Sequence, residues 1–477
     1  MKAENPASIT SIRPVSAEDR STLPRGASTG ARREPPSPPG HFLLGNAPEL
    51  SADRLNFIVS AQRDYGDLIR LRIPFVRGYM VTHPDDLRHI LQDNHDNYTK
   101  NNIDYRLLKS GLGEGLLTSE GAYWIRQRRL IQSIFHRDRI AAFGPLMLEA
   151  ANRLVEEWKP RAERGDPFDV APEMTMVTLA IVARALLSVD ITEHARVIGE
   201  SLTTMNQSMG EAGLGALVPW LPTRTNRRIR AAKRALDAVI WKIIAQRRAS
   251  TSWSDDLLSL LLTTRDEQTG RPLTDLQIRD EVATFLLAGH ETTANALSWT
   301  WYLLAQNPEA EKKLQAELAQ ARNPPASGAE ELRQLSYTRM VIDEAMRLYP
   351  PVWAFSRTNI NDDEVGGYRI KRGSMIYMTQ YVTHRHPAFW EHPDRFDPER
   401  FTPERSVGRP KYAYFPFAGG PRACIGNQFA LAEAAIILGT LARHYRLRLV
   451  PGHPVAIHPL VTLRPRYGIK VVAEPIG

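Results

Sequence analysis

Residues 417–426 read Phe-Ala-Gly-Gly-Pro-Arg-Ala-Cys-Ile-Gly and contain Cys424, the only cysteine in a chain of 477 residues. A single cysteine cannot form an internal disulfide. Three nearby glycines let backbone N–H groups turn toward the sulfur, Arg422 adds positive charge, and an Ala/Leu-rich helical stretch follows. These surroundings predict a lowered thiol pKa and a sulfur that serves as a ligand. Without them, a lone buried cysteine is most often a small apolar filler.

The positions Phe417, Gly420, Arg422, Cys424 and Gly426 match the pattern Phe-x-x-Gly-x-Arg-x-Cys-x-Gly, so the stretch resembles the haem-binding loop of the cytochrome P450 family. The resemblance implies a mainly α fold with small β-sheets, in which a long central helix lies over the haem and the cysteine loop lies on the proximal side. It also implies haem b as cofactor, with the Cys424 thiolate as the iron ligand. Phe417 and Arg422 are then expected to contact the haem.

Length and composition predict one large folded unit. A chain of this length could hold two or three domains, but no internal linker divides it, so we expect a catalytic domain over residues 36–477. Residues 1–35 are rich in Ser, Pro and Arg without apolar periodicity, which predicts a disordered tail. Hydrophobic residues make up 43% and charged residues 24%, which excludes a fibrous or largely disordered chain.

The sequence predicts a cytoplasmic, monomeric protein without a transmembrane segment. No apolar run approaches the roughly 18 residues of a membrane span, and the first 30 residues lack the apolar core of a signal peptide. The absence of paired cysteines agrees with a reducing compartment. The net charge of +8 does not predict nucleic-acid binding, because the Lys and Arg residues are scattered and no nucleic-acid motif accompanies them. An acidic protein partner is the better interpretation.

Alternating residues over 68–73 and 78–82 predict a β-hairpin. A helix is expected over 122–134, where Trp124 and Arg128 are four residues apart and therefore share a helix face. The simplest interpretation of that face is a solvated arginine on an amphipathic helix. The resemblance implies instead that both side chains hydrogen-bond a haem propionate.

Further helices are predicted over 146–158, 174–187 and 231–248. The segment 208–222 interrupts the helical pattern with Gly and Pro residues and carries several apolar side chains. The resemblance implies a mobile lid over the substrate channel at this place. An ordinary apolar loop packed on the body of the protein is the alternative.

Thr274 is the expected N-cap of a helix that runs to Gln306, about 50 Å at about 1.5 Å per residue. Within it, residues 288–293 read Ala-Gly-His-Glu-Thr-Thr, which is a poor helix sequence. This hexad resembles the family's oxygen-activation segment, where two small residues bulge the helix to make room for O2. The resemblance implies that Glu291 and Thr292 are the catalytic pair that relays protons, with Glu291 connecting to solvent.

Glu344 and Arg347 lie three residues apart before Pro350-Pro351, and Arg400 follows in Phe-Asp-Pro-Glu-Arg-Phe. A lone surface ion pair of this kind would contribute little. The order of these motifs resembles the family's structural triad, which locks the segment that leads into the cysteine loop. Arg357 stands where many relatives place another arginine that binds a haem propionate.

The function implied is a monooxygenase that inserts one atom of O2 into an apolar substrate. Its two electrons would come from NAD(P)H through a reductase and a ferredoxin or flavodoxin, because no flavin or iron–sulfur domain fits beside this fold. A peroxygenase or hydroperoxide isomerase is the alternative, although such relatives usually lose the Glu-Thr pair. A non-catalytic haem sensor would need an output domain, which the sequence lacks.

The expected pocket is apolar, which favours a terpenoid substrate. Its predicted lining residues are Ala288, Thr292, Val352, Trp353, Ala354, Phe355, Leu214, Leu217 and Val461. A fatty acid is possible if Arg77 and Tyr79 hold its carboxylate at the channel mouth. The face that docks the redox partner is expected to be positive. Its predicted residues are Arg126, Arg129, Arg409, Lys411 and Arg422.

Overall fold

The computed structural model describes residues 34–191, 193–211, 221–265, 270–321 and 335–476. Helices dominate these ranges, as predicted. In chain order the α-helices are α1 (Ala47–Ala52), α2 (Arg54–Tyr65), α3 (Pro84–Arg88), α4 (Ile103–Leu112), α5 (Gly121–Ile131), α6 (Arg137–Ala142), α7 (Gly144–Arg164), α8 (Val170–Leu187), α9 (Ala195–Gly210), α10 (Arg224–Ala249), α11 (Leu257–Thr263), α12 (Asp275–Gln306), α13 (Pro308–Gln320), α14 (Ser336–Leu348), α15 (Gln380–Thr383), α16 (Pro403–Ser406) and α17 (Asn427–His444).

Within the described ranges the strands are short and form four separate sheets. They are β1 (Leu68–Ile73), β2 (Val76–Val81), β3 (Tyr98–Thr99), β4 (Phe168–Asp169), β5 (Phe355–Asn359), β6 (Asp363–Val365), β7 (Tyr368–Ile370), β8 (Met375–Met378), β9 (Tyr445–Leu449), β10 (Ile457–Pro459), β11 (Leu463–Pro465) and β12 (Lys470–Pro475). The largest sheet has the order β1-β2-β8-β5-β3, in which only β2 and β8 run parallel. The others are β4-β12-β9, β6-β7 and β10-β11.

The central helix α12 starts and ends where the sequence predicts. Thr274 accepts a hydrogen bond from the Gln277 backbone N–H, and the Gln277 side chain accepts one from the Thr274 backbone N–H, which forms a reciprocal capping box. Helices α8, α14 and α17 pack around α12, and most of its side chains are buried. A helix that is buried on nearly all sides is the spine of a fold rather than a surface element.

Among the described residues, α8 alone is long and apolar enough to cross a membrane. Most of it is buried, and its main packing partner is α12. A buried core helix of a folded protein gives the same pattern of length and composition. The sequence predicted no apolar run of this length, because Glu173 and Arg184 interrupt the apolar residues of α8.

The predicted triad forms in the buried interior. Glu344 on α14 accepts hydrogen bonds from Arg347 Nε at 2.6 Å and Nη2 at 2.8 Å, and from Arg400 Nε at 3.0 Å. All three side chains are nearly inaccessible to solvent. Arg347 also donates to the carbonyl oxygens of His384 and Pro393. The triad therefore fixes the chain between α15 and α16 against α14.

The predicted hairpin over 68–82 is β1–β2, and the predicted helices are α5, α7, α8 and α10. Helices α7, α8 and α10 are longer than expected, whereas α5 ends at Ile131, before the predicted end at 134. The predicted tail over 1–35 lies outside the described residues up to position 33. Most of the predicted lid, positions 212–220 with Leu214 and Leu217, lies outside them as well.

Candidate functional site

The cysteine loop is a tight turn that leads into α17. The Cys424 backbone N–H donates to the Phe417 carbonyl oxygen at 2.9 Å, which closes the loop on itself. Gly420 has φ +65°, and a Cβ there would lie 1.7 Å from the Leu91 carbonyl oxygen. Only glycine fits this position, because it combines a left-handed conformation with direct backbone contact.

The Cys424 side chain is accessible by surface area, yet burial raises the pKa of its thiol. The two observations agree if the sulfur faces an internal space, because its surface is then accessible while protein still surrounds it. The backbone N–H of Gly426 and the charge of Arg128 act in the opposite direction but do not outweigh burial. The expectation of a lowered thiol pKa is therefore wrong for the polypeptide alone. A bound metal ion would supply the missing stabilisation, since metal ligation deprotonates a thiol and releases its proton.

Helix α5 contacts the cysteine loop through Arg128 and Trp124. Arg128 donates from Nη1 to the carbonyl oxygen of Ala423 at 2.9 Å. The guanidinium of Arg422 lies 3.5 Å from the centre of the Trp124 ring, in a cation–π contact. The structure thus brings together Trp124, Arg128 and Arg422, which the family resemblance implied at the haem, and it adds the contact between Trp124 and Arg422.

A buried lysine, which sequence reasoning missed, lies in the same region. Lys100 is 6% exposed, and its ammonium donates to the Leu117 carbonyl oxygen at 2.7 Å. Burial lowers the pKa of Lys100 well below its usual value, and the charges of Arg357 and Arg422 lower it further. Arg357 is also buried and donates to the Tyr105 hydroxyl at 2.9 Å.

This cationic cluster consists of Lys100, Arg128, Arg357 and Arg422, and it is short of negative charge. The charge of Glu120 raises the pKa of Lys100, but Glu120 is already paired with Arg422 at 2.8 Å. Burial lowers the pKa of Arg422 to about 10. Positive charges gathered in a partly or fully buried place are costly when acids do not balance them, so the cluster is complementary to a ligand that carries more than one negative charge. The two propionates of haem b have that charge.

Helix α12 has a second accessible surface among buried residues. Ala288 is exposed although residues 281–286 and 290–291 are buried, and Thr292, one helical turn further, is partly exposed. The Thr292 hydroxyl donates to the Ala288 carbonyl oxygen at 2.9 Å. The helix is continuous through residues 275–306, so the expected bulge at 288–289 is not present. The space beside Ala288 comes from its small side chain instead.

Glu291 does not connect directly to solvent as expected. Its carboxylate is 3% exposed and forms an ion pair with Arg464, on the β10–β11 hairpin. Thr462 on the same hairpin donates to Glu291 Oε1 at 2.7 Å. No local spacing predicts the ion pair of Glu291 with Arg464, because the two residues are 173 positions apart.

The predicted pocket residues divide into two groups. Val352, Ala354, Phe355 and Val461 are partly exposed, as a pocket lining requires. Trp353 is 8% exposed and packs in a core cluster with Leu55, so little of its surface is available to a ligand. Tyr79 is 5% exposed and packs in another core cluster, which contradicts its expected place at a channel mouth.

The residues present fit haem b. The Cys424 side chain is accessible to a ligand, the cationic cluster matches two carboxylates, and Phe417 is a partly buried apolar residue of the loop. Among the described residues, no three His, Cys, Asp or Glu side chains form a group that could hold a bare metal ion. Iron carried by a porphyrin needs only one such protein ligand.

Comparison with known proteins agrees with this fit. The family model "Cytochrome P450" matches residues 35–471. Cyclooctatin synthase of Streptomyces melanosporofaciens is 36% identical over 92% of this chain and 95% of its own length. Cyclooctat-9-en-7-ol 5-monooxygenase of the same organism is 34% identical over 86% and 88%.

Pentalenene oxygenase of Streptomyces avermitilis is 33% identical over 91% of this chain and 96% of its own length. The matches extend over nearly the whole chain and include both the cysteine loop and the central helix. The chain therefore belongs to the cytochrome P450 family, as a monooxygenase that uses haem b, O2 and electrons from redox partners to oxidise an apolar small molecule.

Proposed function

We propose that this P450 hydroxylates or otherwise oxidises a cyclic terpenoid. The observation that carries the proposal is the exposed surface of Ala288 and Thr292 in the middle of an otherwise buried helix. The other residues predicted to line the pocket that are partly exposed include Val352, Ala354 and Val461, which are apolar. Such a space binds a hydrocarbon skeleton by shape and burial and offers no ion pair to a charged group.

The comparisons support the same substrate class. Two relatives are named for the oxidation of cyclooctat-9-en-7-ol and of pentalenene, which are cyclic terpenoids. A fatty acid is disfavoured because Tyr79, one of the two expected carboxylate contacts, is buried in the core, although the other, Arg77, is exposed. The test is a panel of cyclic terpenoids and fatty acids, titrated into the holoenzyme while the spin state of the haem is followed. We expect the terpenoids to produce the shift at lower concentration, and the reverse order would contradict the proposal.

We further propose that Cys424 is the proximal ligand and that Lys100, Arg128, Arg357 and Arg422 bind the propionates. Bound haem supplies the iron at which O2 is activated. The chain supplies the apolar binding site, excludes bulk water with α12 and the β10–β11 hairpin, and delivers protons. Trp124 and Phe417 pack beside the cofactor.

Thr292 Oγ1 is the proposed last proton carrier, and Glu291 is the acid that resupplies it. The Thr292 hydroxyl donates to the Ala288 carbonyl oxygen in this structure and can rotate to donate into the internal space. Thr292→Ala should therefore leave substrate binding unchanged but lower the amount of product formed per NAD(P)H consumed, with peroxide as the other product. Thr293→Ala, one residue further, is the matched control. An unchanged ratio in Thr292→Ala would exclude the role.

Electrons are proposed to arrive through a ferredoxin or flavodoxin and its NAD(P)H-dependent reductase. Of the five predicted docking residues, Arg129 and Lys411 are exposed, and both are next in sequence to residues that contact the cysteine loop. Arg422 is held by Glu120, and Arg409 lies 4.2 Å from the Trp390 ring centre, so these two are less available. We also propose that the enzyme acts as a monomer in the cytoplasm, where a single cysteine stays reduced.

A further inference from the structure

Three ionisable side chains that the proposed mechanism does not use lie near one another, although they are far apart in sequence. Arg54 is on α2, Asp104 is on α4 and Tyr377 is on β8, and each is partly exposed. Burial lowers the pKa of Arg54, and the charge of Asp104 acts in the opposite direction. Burial raises the pKa of Tyr377, and the charge of Asp104 raises it further. We call these three residues the polar triplet.

Two members of the polar triplet have hydrogen-bond donors that the protein uses poorly. The Arg54 guanidinium donates to two backbone carbonyl oxygens at 3.4 Å and 3.5 Å, which are long distances for such bonds. The Tyr377 hydroxyl donates to the Met375 sulfur at 3.5 Å, and a thioether is a weak acceptor. Both residues can therefore donate to a stronger acceptor without breaking a strong bond.

The third member, Asp104, is held in place but is not ion-paired. Its Oδ2 accepts from the Ser356 hydroxyl at 2.7 Å, and Ser356 in turn accepts from Asn102 at 3.2 Å. Although both residues belong to the described part of the chain, no Arg54 nitrogen lies within 4.0 Å of an Asp104 oxygen. Burial raises the pKa of Asp104, while the Ser356 hydroxyl and the charge of Arg54 act in the opposite direction. The two opposite charges thus attract each other across a gap.

The polar triplet borders residues that are predicted to line the pocket. Ser356 pairs with Tyr377 between β5 and β8, so their side chains share one face of the sheet. Ala354, two residues before Ser356, packs against the same core cluster as Tyr377. Arg54 donates to the β10–β11 hairpin, which also carries Val461. The triplet therefore adds polar groups beside an otherwise apolar lining.

The mixture of charges in the triplet is complementary to a neutral hydroxyl group. An alcohol has one O–H donor and two acceptor lone pairs, so it can donate to Asp104 while it accepts from Arg54 and Tyr377. A carboxylate has acceptors only and is repelled by Asp104, and an ammonium is repelled by Arg54. A hydrocarbon leaves all three polar groups without a new partner.

We propose that the polar triplet binds a hydroxyl group that the terpenoid already carries, so that the substrate is a cyclic terpenoid alcohol rather than a hydrocarbon or an acid. This proposal rests on the proposed function and narrows its substrate class. Arg54, Asp104 and Tyr377 are then specificity-determining residues. Because they anchor one end of a rigid skeleton, they also limit which carbon atoms can reach the site of oxidation.

The test uses three compounds with one tricyclic skeleton. Abietadiene, abietadienol and abietic acid differ only in a methyl, a hydroxymethyl or a carboxyl group at the same carbon. Each is titrated into the holoenzyme, and its dissociation constant is measured from the haem spin state and, independently, by equilibrium dialysis. We expect the alcohol to bind about ten-fold more tightly than the hydrocarbon and the acid, as hydrogen bonds to charged groups would produce.

Tyr377→Phe removes one hydroxyl whose present bond is weak, so the fold should not change. We expect this variant to bind abietadienol about three-fold to ten-fold more weakly and abietadiene as wild type does. Tyr368→Phe, at a partly exposed position on β7, is the matched control and should bind both compounds as wild type does.

Asp104→Asn keeps an acceptor for the Ser356 hydroxyl but removes the negative charge. It should bind abietadienol more weakly and abietic acid more tightly than wild type does, because Arg54 then attracts the carboxylate without opposition. General damage to the fold does not increase affinity for one ligand. Asp362→Asn removes the same charge at an exposed position and should leave both dissociation constants unchanged.

The proposal is overturned if wild type binds the hydrocarbon as tightly as the alcohol, or if neither variant changes the preference among the three compounds. If Asp104→Asn does not fold, Tyr377→Phe decides the result alone. Failure of the proposed function gives a different result, because fatty acids would then shift the spin state at lower concentration than every compound of the series. This proposal would fall with it.

Discussion

Arg128 on α5 donates a hydrogen bond to the carbonyl oxygen of Ala423 at 2.9 Å, and Ala423 immediately precedes Cys424. The same guanidinium is close enough to the thiol for its charge to favour the thiolate. One arginine therefore fixes the backbone of the cysteine loop and supplies positive charge beside the sulfur. It also belongs to the cationic cluster, so loop geometry and cofactor charge depend on one side chain.

Arg128→Ala should weaken retention of haem by the folded protein. Outer-sphere partners of metal ligands typically contribute about 10-fold to 100-fold in affinity, and we expect a loss in that range. The measurement is transfer of haem from the holoenzyme to an excess of an acceptor protein. Arg129→Ala, on the next and exposed residue, should behave like wild type. Equal rates of haem loss in the two variants would contradict the assignment.

Glu344→Gln should destabilise the protein strongly, because it leaves Arg347 and Arg400 buried without their counter-charge. Breaking a buried pair in this way costs about 3–5 kcal/mol of the free energy of unfolding. Glu399→Gln is the control, since Glu399 forms an exposed pair with Lys313 in the same part of the chain. Its loss should cost less than about 1 kcal/mol. Urea unfolding of both variants separates the two cases, and similar costs would refute the structural role of the triad.

Glu281 on α12 should make stability depend on pH. Burial raises its pKa to about 8, although the Leu116 backbone N–H donates to it at 3.0 Å and acts in the opposite direction. Between pH 4.5 and about pH 8 the folded state therefore keeps a proton on Glu281, whereas the unfolded state, in which the pKa of this group is about 4.5, has lost it. The free energy of unfolding falls as pH rises through this window, by about 5 kcal/mol from this group alone.

Glu281→Gln should remove that part of the pH dependence and raise stability at pH 8 relative to wild type. Urea unfolding at pH 5 and pH 8 measures the difference. Glu309→Gln, at an exposed position on α13, should keep the wild-type slope. A wild-type slope in Glu281→Gln would show that Glu281 is not a buried neutral acid.

Arg129→Glu combined with Lys411→Glu should slow the first electron transfer from an acidic ferredoxin by ten-fold or more, on the order of the effect of electrostatic steering. Reduction by dithionite and substrate binding should not change. Arg228→Glu combined with Arg230→Glu makes the same change of charge on exposed residues of α10 and is the matched control. The docking face would lie elsewhere if the two double variants slowed electron transfer equally. The same conclusion would follow if neither double variant nor added salt changed the rate.

The predictions that held rest on local patterns. The capping box at Thr274 and the hairpin β1–β2 depend on residues within a few positions of one another. The buried triad of Glu344, Arg347 and Arg400 was predictable only by resemblance, since spacing alone does not show that a charged pair is buried. Periodicity reports which face is apolar, and burial of a charge is decided by the partners that fold over it.

The errors and omissions concern contacts between distant parts of the chain. Lys100 carries no motif, and its buried position among arginines becomes visible only in three dimensions. The partner of Glu291 is on a hairpin near the C-terminus. Glycines and an arginine near Cys424 predicted a lowered pKa, but burial of the loop outweighs them. In each case desolvation or long-range pairing decides the result, and neither is encoded in local spacing.

The central claim is that Cys424 is the proximal thiolate ligand of haem. The most direct measurement is the absorption spectrum of the reduced, carbon monoxide-bound form of Cys424→Ser beside wild type. We expect wild type to show the strongly red-shifted Soret band of thiolate-ligated haem and the variant to lose it. Retention of that band by Cys424→Ser, in a protein with no other cysteine, would contradict the account.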